Sequence, residues 1–436
     1  MARKLSLRNY RSSLLFAAGV LITGGAAVSV DGAGALFSQS NRAQVSYDQV
    51  RRPVSPRALT AQDQAAAEIA WRYFDQNFRP ETGFVDSVAG YPSGTLWDQG
   101  SYLMALMSAH ALGVIEDSRF AMRADALLSG MERLPLFDGL LPNKVYHSQT
   151  LDMVDYQNQP VPDGIGWSAL DIARMLMALR VLERRSPEYG PRIATLLSGW
   201  TLEAMAHQGE LFGAGLEQGK VLTRQEGRIG YEQYGARAAA LWGLDVLDAT
   251  TAARVLDWRD VSGVPVPTDL RRASAFRAIT PTLSEPYFLQ GLEMGLSGEA
   301  MVLADRVYSA QENRYRATGQ LTMVSEDNVD QAPWFLYSSV FANGADWAVV
   351  TEKGETHPEL RTISLKAAFA WDALYGTPYT AQVRGALQDL QTAGGWAAGR
   401  YESDGSANDV LTLNTNAVVL ESIHYIAQGP LWQYRK

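Results

Sequence analysis

The chain has 436 residues, 47% of them hydrophobic and 19% charged, which excludes a disordered protein and supplies ample material for a core. A formal net charge of -9, with no basic cluster outside the N-terminal region, argues against a nucleic-acid partner, because neutralising phosphates requires a basic face. Zero cysteines exclude disulfides, thiolate zinc sites and thiol catalysis, while leaving the compartment open.

At the N-terminus, Arg3, Lys4, Arg8 and Arg11 precede an uncharged stretch and the small-residue pattern Ala33-Gly34-Ala35. This reads as a signal peptide over residues 1–35, or as an uncleaved signal anchor, since the run approaches the roughly 18–20 residues that span a bilayer. Both readings predict export to the periplasm or cell envelope, with membrane contact only through this segment if it stays attached. Residues 36–60, rich in Ser, Gln and Asn with Pro53 and Pro56, read as a linker. A single domain over 61–430 follows.

Apolar residues recur at helical spacing over 61–78, 97–114, 119–134, 167–182, 191–207 and 231–247. Stretches apolar on most of their circumference, such as 97–114, predict inner helices, and one-sided stretches predict outer ones. Region 249–283, broken by Pro265 and Pro267, predicts only a short helix over 270–277. Helices over 285–296, 299–312, 364–375, 380–391 and 416–427 complete the series, with a long insert at 313–362 that exceeds an ordinary connection. Short runs at 139–142 and 395–401 read as hairpins. The expected fold is therefore all-α dominated: an (α/α)6 toroid of about six helix pairs with small β-hairpins at the loop end.

The loops that lead into the inner helices combine Gly, acids and aromatics, and a ring would bring them to one mouth. No phosphate-binding loop, dinucleotide fingerprint, serine elbow or metal-spaced histidine pair occurs, so no cofactor or metal is expected. Carboxylates beside aromatics are the combination that glycoside hydrolysis uses, one acid protonating the leaving oxygen and a second, ionised, acting on water or on the sugar carbon. The acids placed near the mouth are Asp98, Asp171, Glu232, Glu285, Glu326, Asp327 and Glu402, and the candidate stacking platforms are Trp97, Trp167, Tyr231, Tyr287, Trp396 and Tyr401. Asp98 and Glu232, each at a helix start, are equally capping or dipole-complementing residues.

Three segments carry a resemblance. Pro80-Glu-Thr82-Gly83-Phe84, Ser168-Ala-Leu-Asp171 and Gly230-Tyr231-Glu232-Gln-Tyr234 resemble the landmarks of the bacterial glucoamylase-like superfamily that contains β-1,2-glucanases, and the chain is also similar to an exported bacterial domain family of unknown function. The resemblance implies a general acid in the tyrosine-containing motif, here Glu232, and a substrate-site aspartate, here Asp171, with Asp98 as a further organiser of water or substrate. Gln233 stands where the family places its acid, and the expected Asp-Arg pair is here Asp86-Ser87. The function expected is a glycoside hydrolase or transglycosylase acting on an envelope or extracellular glucan. The alternatives are a non-catalytic glycan-binding factor serving a membrane glycosyltransferase, and a lyase using Tyr231 or Tyr234, which the negative charge disfavours.

Overall fold

The computed structural model describes residues 49–271 and 278–432. Eleven α-helices make up the frame: α1 (Ala61–Asn77), α2 (Leu96–Ala111), α3 (Asp117–Met131), α4 (Ala169–Arg185), α5 (Gly190–Ser198), α6 (Tyr231–Ala240), α7 (Glu285–Leu289), α8 (Gly298–Thr318), α9 (Leu365–Tyr375), α10 (Pro378–Gly385) and α11 (Leu413–Gln428). Helices α2, α4, α6, α7, α9 and α11 each pack on the next, and α11 packs back on α2, so the ring closes. Their sequences explain why they are inside. Only Asp372 of α9 escapes burial, and α2 is buried from Asp98 to Ala109 without a gap. Outer helix α1 instead exposes Gln62, Glu68, Arg72 and Asp75 and buries Ala66, Ile69, Ala70, Tyr73 and Phe74.

This is a helical toroid, as the apolar pattern predicts, with one step built differently. Between α6 and α7 the described residues contain no outer helix. A 3-10 turn (Leu247–Thr250) packs on α6, and a hairpin of Leu256–Val261 with Val264–Asp269 supports α8. Pro265 and Pro267 fit this hairpin because neither need donate to an internal ladder at a sheet edge. Most of the short helix expected at 270–277 lies outside the described residues. Helix α6 also stops at Ala240, short of the expected 247, and α7 is a single turn that continues as a π-helical turn, Gln290–Met294.

Of the long insert, residues 313–318 extend α8. The rest forms a three-stranded antiparallel sheet of Glu326–Asn328, Phe335–Ser338 and Val349–Val350, with a small hairpin beside it. The expected hairpins also occur, although Gly395–Tyr401 is the central strand of a four-stranded sheet and not a rim element. A further hairpin, Glu210–Glu217 with Lys220–Gln225, was not anticipated.

The reading of residues 36–60 as a linker needs correction over 49–60; residues 1–48 lie outside the described residues. Val54 donates its N–H to Leu374 O (2.8 Å) and Arg57 to Ile426 O (2.7 Å), at the C-terminal ends of α9 and α11. Arg51 reaches Glu312 at 3.2 Å and lies 4.7 Å from the Tyr308 ring centroid. Paired backbone and a stacked guanidinium make this segment part of the domain. Among the described residues no helix is long and apolar enough to cross a membrane.

At the axis of the ring lies Arg174 of α4, wholly buried. It donates to Ser101 Oγ of α2 (3.2 Å), Tyr234 Oη of α6 (2.7 Å), Glu421 Oε1 of α11 (3.1 Å) and Glu293 of the π turn. Burial and the neighbouring Glu293 push Glu421 well above the usual carboxylate range, against the pull of Arg174. Replacing Arg174 by Met should cost about 3–5 kcal/mol, because Glu293 would remain buried without its cation. Urea unfolding of the variant measures this, and a loss below about 1 kcal/mol would show the pair to be dispensable.

Candidate active site

The N-termini of the inner helices point to one end of the ring, and there the loops enclose a cavity of about 460 Å³. That is room for a small-molecule ligand or a few sugar rings. Helix starts need side-chain oxygens to satisfy free N–H groups, so Asp, Ser and Thr gather here. Thr95 and Asp98 form a capping box at α2, and Asp98 accepts from Thr95 N (3.1 Å), Thr95 Oγ1 (2.8 Å) and Ser87 Oγ. Asp98 is thus a cap and a wall of the cavity together. Burial raises its pKa against the pull of those donors.

At the start of α4 the same need is met differently. Ser168 Oγ accepts from Asp171 N (3.1 Å), while the free N–H of Ala169 (2.6 Å) and the Ser168 hydroxyl (2.8 Å) both donate to Glu226. Glu226 reaches them because Gly213 lacks a side chain; a Cβ there would lie 2.3 Å from Glu226 Oε2. Asp171 is left half-buried in the cavity wall. Burial, then the charges of Glu226 and Asp98, push its pKa well above the ordinary value, with Ser168 and Lys144 opposing. Glu226 is raised by burial as well, but Lys144, Ser168 and the helix N-terminus favour its charged form. The two carboxyls have unequal surroundings: neighbouring acids add to the effect of burial at Asp171, whereas a lysine and two hydrogen-bond donors oppose it at Glu226.

Across the cavity stand Glu326 and Asp327, on the insert's first strand, and Lys366, in the first turn of α9. Lys366 pairs with Glu285 and lies 3.8 Å from Asp327. Tyr231 donates its hydroxyl to Glu326, whose other oxygen is buried without a partner. Burial and the charge of Glu285 raise Glu326 to about 8, and burial raises Asp327 to about 7 against the pull of Lys366. Between the two walls, Trp97 and Tyr231 meet edge to face with centroids 5.5 Å apart. Trp97 in turn rests over Arg174, whose guanidinium lies 5.4 Å from its ring.

Of the residues named from sequence, Asp98, Asp171, Trp97, Tyr231, Glu326 and Asp327 line this cavity, and Glu285 reaches it through Lys366. The rest are placed elsewhere. Glu232 is 2% exposed and does not line the cavity; Arg271 binds both its oxygens (3.0 and 2.7 Å), and Gln225 donates at 2.8 Å. Trp167 is buried and pins the base of the Glu210–Gln225 hairpin by donating to Phe212 O (3.0 Å). Tyr287 is core, and Trp396 donates to Ala66 O at 3.0 Å. Tyr401 donates to Asp330 (2.6 Å), and Glu402 is held by Arg314 and Arg361. Arg79, seven residues before Asp86, supplies the arginine partner that Ser87 cannot.

Sequence reasoning missed Glu226, Lys144 and Lys366. Lys366 carries a usable signal, being a cation in the first turn of an apolar helix, where the macrodipole disfavours it and only an anion cluster compensates. Glu226 sits in Glu226-Gly-Arg-Ile-Gly230, six residues before Glu232, and nothing in spacing alone distinguishes the two acids.

No curated protein matches the chain significantly. Solved structures share its fold at low identity. An endo-β-1,2-glucanase from Chitinophaga pinensis, in complex with sophorotriose and glucose, is 14% identical with a TM-score of 0.64, covering 86% of this chain and 94% of that one. A candidate glucoamylase from Bacteroides caccae is 13% identical at 0.61, covering 85% and 94%. An endo-β-1,2-glucanase mutant from Talaromyces funiculosus, complexed with β-1,2-glucan, is 14% identical at 0.55, covering 85% and 84%. The family model for DUF3131, proteins of unknown function, matches residues 65–429, and the chain belongs to that family.

Proposed function

We propose that this protein is a glycoside hydrolase or transglycosylase acting on a glucan of the cell envelope or extracellular space. The observation that carries the reading is the placing of Asp171, a carboxyl whose pKa burial and Glu226 raise, in the wall of a cavity floored by Trp97 and Tyr231. Glucan ligands in fold neighbours support an oligosaccharide as occupant. They lend no support to a membrane glycosyltransferase partner. Export rests on the N-terminal sequence pattern. We read the ring as an (α/α)6 toroid in which the 3-10 turn and hairpin after α6 replace one outer helix.

In the reaction, Asp171 gives its proton to the glycosidic oxygen as the bond to the anomeric carbon breaks. Water, or an acceptor hydroxyl in transglycosylation, adds to that carbon, and its proton passes to Glu226, the cavity carboxylate whose charged form Lys144, Ser168 and the N–H of Ala169 favour. Asp98 lies close enough to help hold the Asp171 proton in place. Glu232, sequestered by Arg271, has a structural part only.

Reducing-end release from a panel of purified glucans tests the proposal. Asp171→Asn should lower turnover by roughly 10²–10⁴-fold with folding retained, and full activity in that variant would remove Asp171 from the chemistry. Glu232→Gln should instead keep turnover and lose about 1–2 kcal/mol of stability, since Arg271 loses one of its two anions and keeps Asp269. The opposite wall gives a pH signature. Glu326 and Asp327 hold protons to about pH 8 and 7 that the unfolded chain releases near 4.5 and 3.8. The folded state binds more protons between those limits, so their contribution to stability is lost as pH rises from about 4.5 to 8. Melting profiles across that range should be flatter for Glu326→Gln than for the wild type; identical profiles would show that Glu326 is ionised throughout.

A further inference from the structure

Above its carboxylates the cavity changes character. Val88 and Ile165 line it, as do Ile279, Leu283 and Phe335, and the Glu210–Gln225 hairpin adds Leu216 and Leu222 beside the Glu217–Arg224 ion pair. Leu216 is 45% exposed, Leu222 39%, and Val221, the cross-strand partner of Leu216, 42%. Eight large hydrophobic side chains are exposed among the described residues, and three of them sit on this one hairpin tip, of which Leu216 and Leu222 line the cavity. Scattered exposed hydrophobics need no explanation, but a cluster continuous with a cavity does.

A bare oligosaccharide does not suit that surface. Its ring faces can stack on Trp97 and Tyr231, but its hydroxyls would lose water against Leu, Ile and Val, which offer no hydrogen bond in return. An alkyl or acyl chain has nothing to lose there and buries apolar area on both sides. The floor is the reverse, lined by the carboxyls of Asp98, Asp171 and Glu226, against which an alkyl chain gains nothing. The polar end of a ligand is thereby set at the helix N-termini and its apolar end at the hairpin. Trp167 holds the base of that hairpin through Phe212 O, so the apolar lip is fixed relative to the carboxylates.

Resting on the reading of the cavity as a glycoside site, we infer that the substrate is a glycoconjugate whose sugar carries an apolar chain. The sugar lies at Asp171 and Glu226, and the chain leaves over Leu216 and Leu222.

Calorimetric titration of the full chain with hexyl β-D-glucopyranoside, methyl β-D-glucopyranoside and hexanol tests this without needing turnover, so the outcome is separate from that of the hydrolysis assays. The hexyl glucoside should bind at least roughly tenfold more tightly than the methyl glucoside, and more tightly than hexanol. The preference should vanish in Leu216→Ser/Leu222→Ser, whose exposed positions leave the melting midpoint unchanged. Equal affinity for the two glucosides, absence of binding by both, hexanol binding as well as the hexyl glucoside, or a preference that survives the double substitution would each overturn the inference.

Discussion

A single guanidinium organises this ring. Arg174 reaches from α4 to partners on α2, α6, α11 and the π turn after α7, so four neighbours of the inner circle are registered against one planar group. Apolar packing alone tolerates sliding between helices of similar shape, whereas a fork with fixed donor directions accepts one arrangement. The π turn places Glu293 within that reach. Because Trp97 sits directly on the guanidinium, the floor of the cavity is fixed by the same contact that fixes the helices.

The chemistry of the cavity follows from the direction of those helices. Parallel inner helices present their N-termini together, and each start requires an oxygen acceptor, so a ring of this kind concentrates Asp, Glu, Ser and Thr before any demand of function is made. Capping a helix and lining the cavity are therefore not competing roles here. Asp98 is a cap exposed to the cavity, Glu226 caps α4 from a neighbouring loop, and Asp171, relieved of that duty by Ser168 and Glu226, is left facing the cavity.

The inner helices were legible in the sequence because burial on all sides leaves them apolar over most of their circumference with few charges, as in α2, α9 and α11. The mouth was legible in part, through acids and aromatics at helix starts: Asp98, Asp171, Trp97 and Tyr231 are where that rule puts them. It failed at Glu232 because Gly227 and Gly230, both at φ +95°, turn the loop in a way that spacing does not encode, and the earlier acid takes the inward position. It failed at Trp396, Tyr401 and Glu402 because Gly-rich aromatic segments can equally be internal strands, and pairing with residues 362–364 decides it. The 210–225 hairpin lacks strict alternation, since Gly213 and Gly215 occupy positions where a patterned strand would carry side chains.

The stretch from Arg51 to Arg57 fastens to the outer wall and to the C-terminal tips of α9 and α11, whereas the acids gather at the N-terminal tips. The first described residues thus run along the face away from the opening, and a ligand approaching the hollow meets the loops at the N-terminal tips.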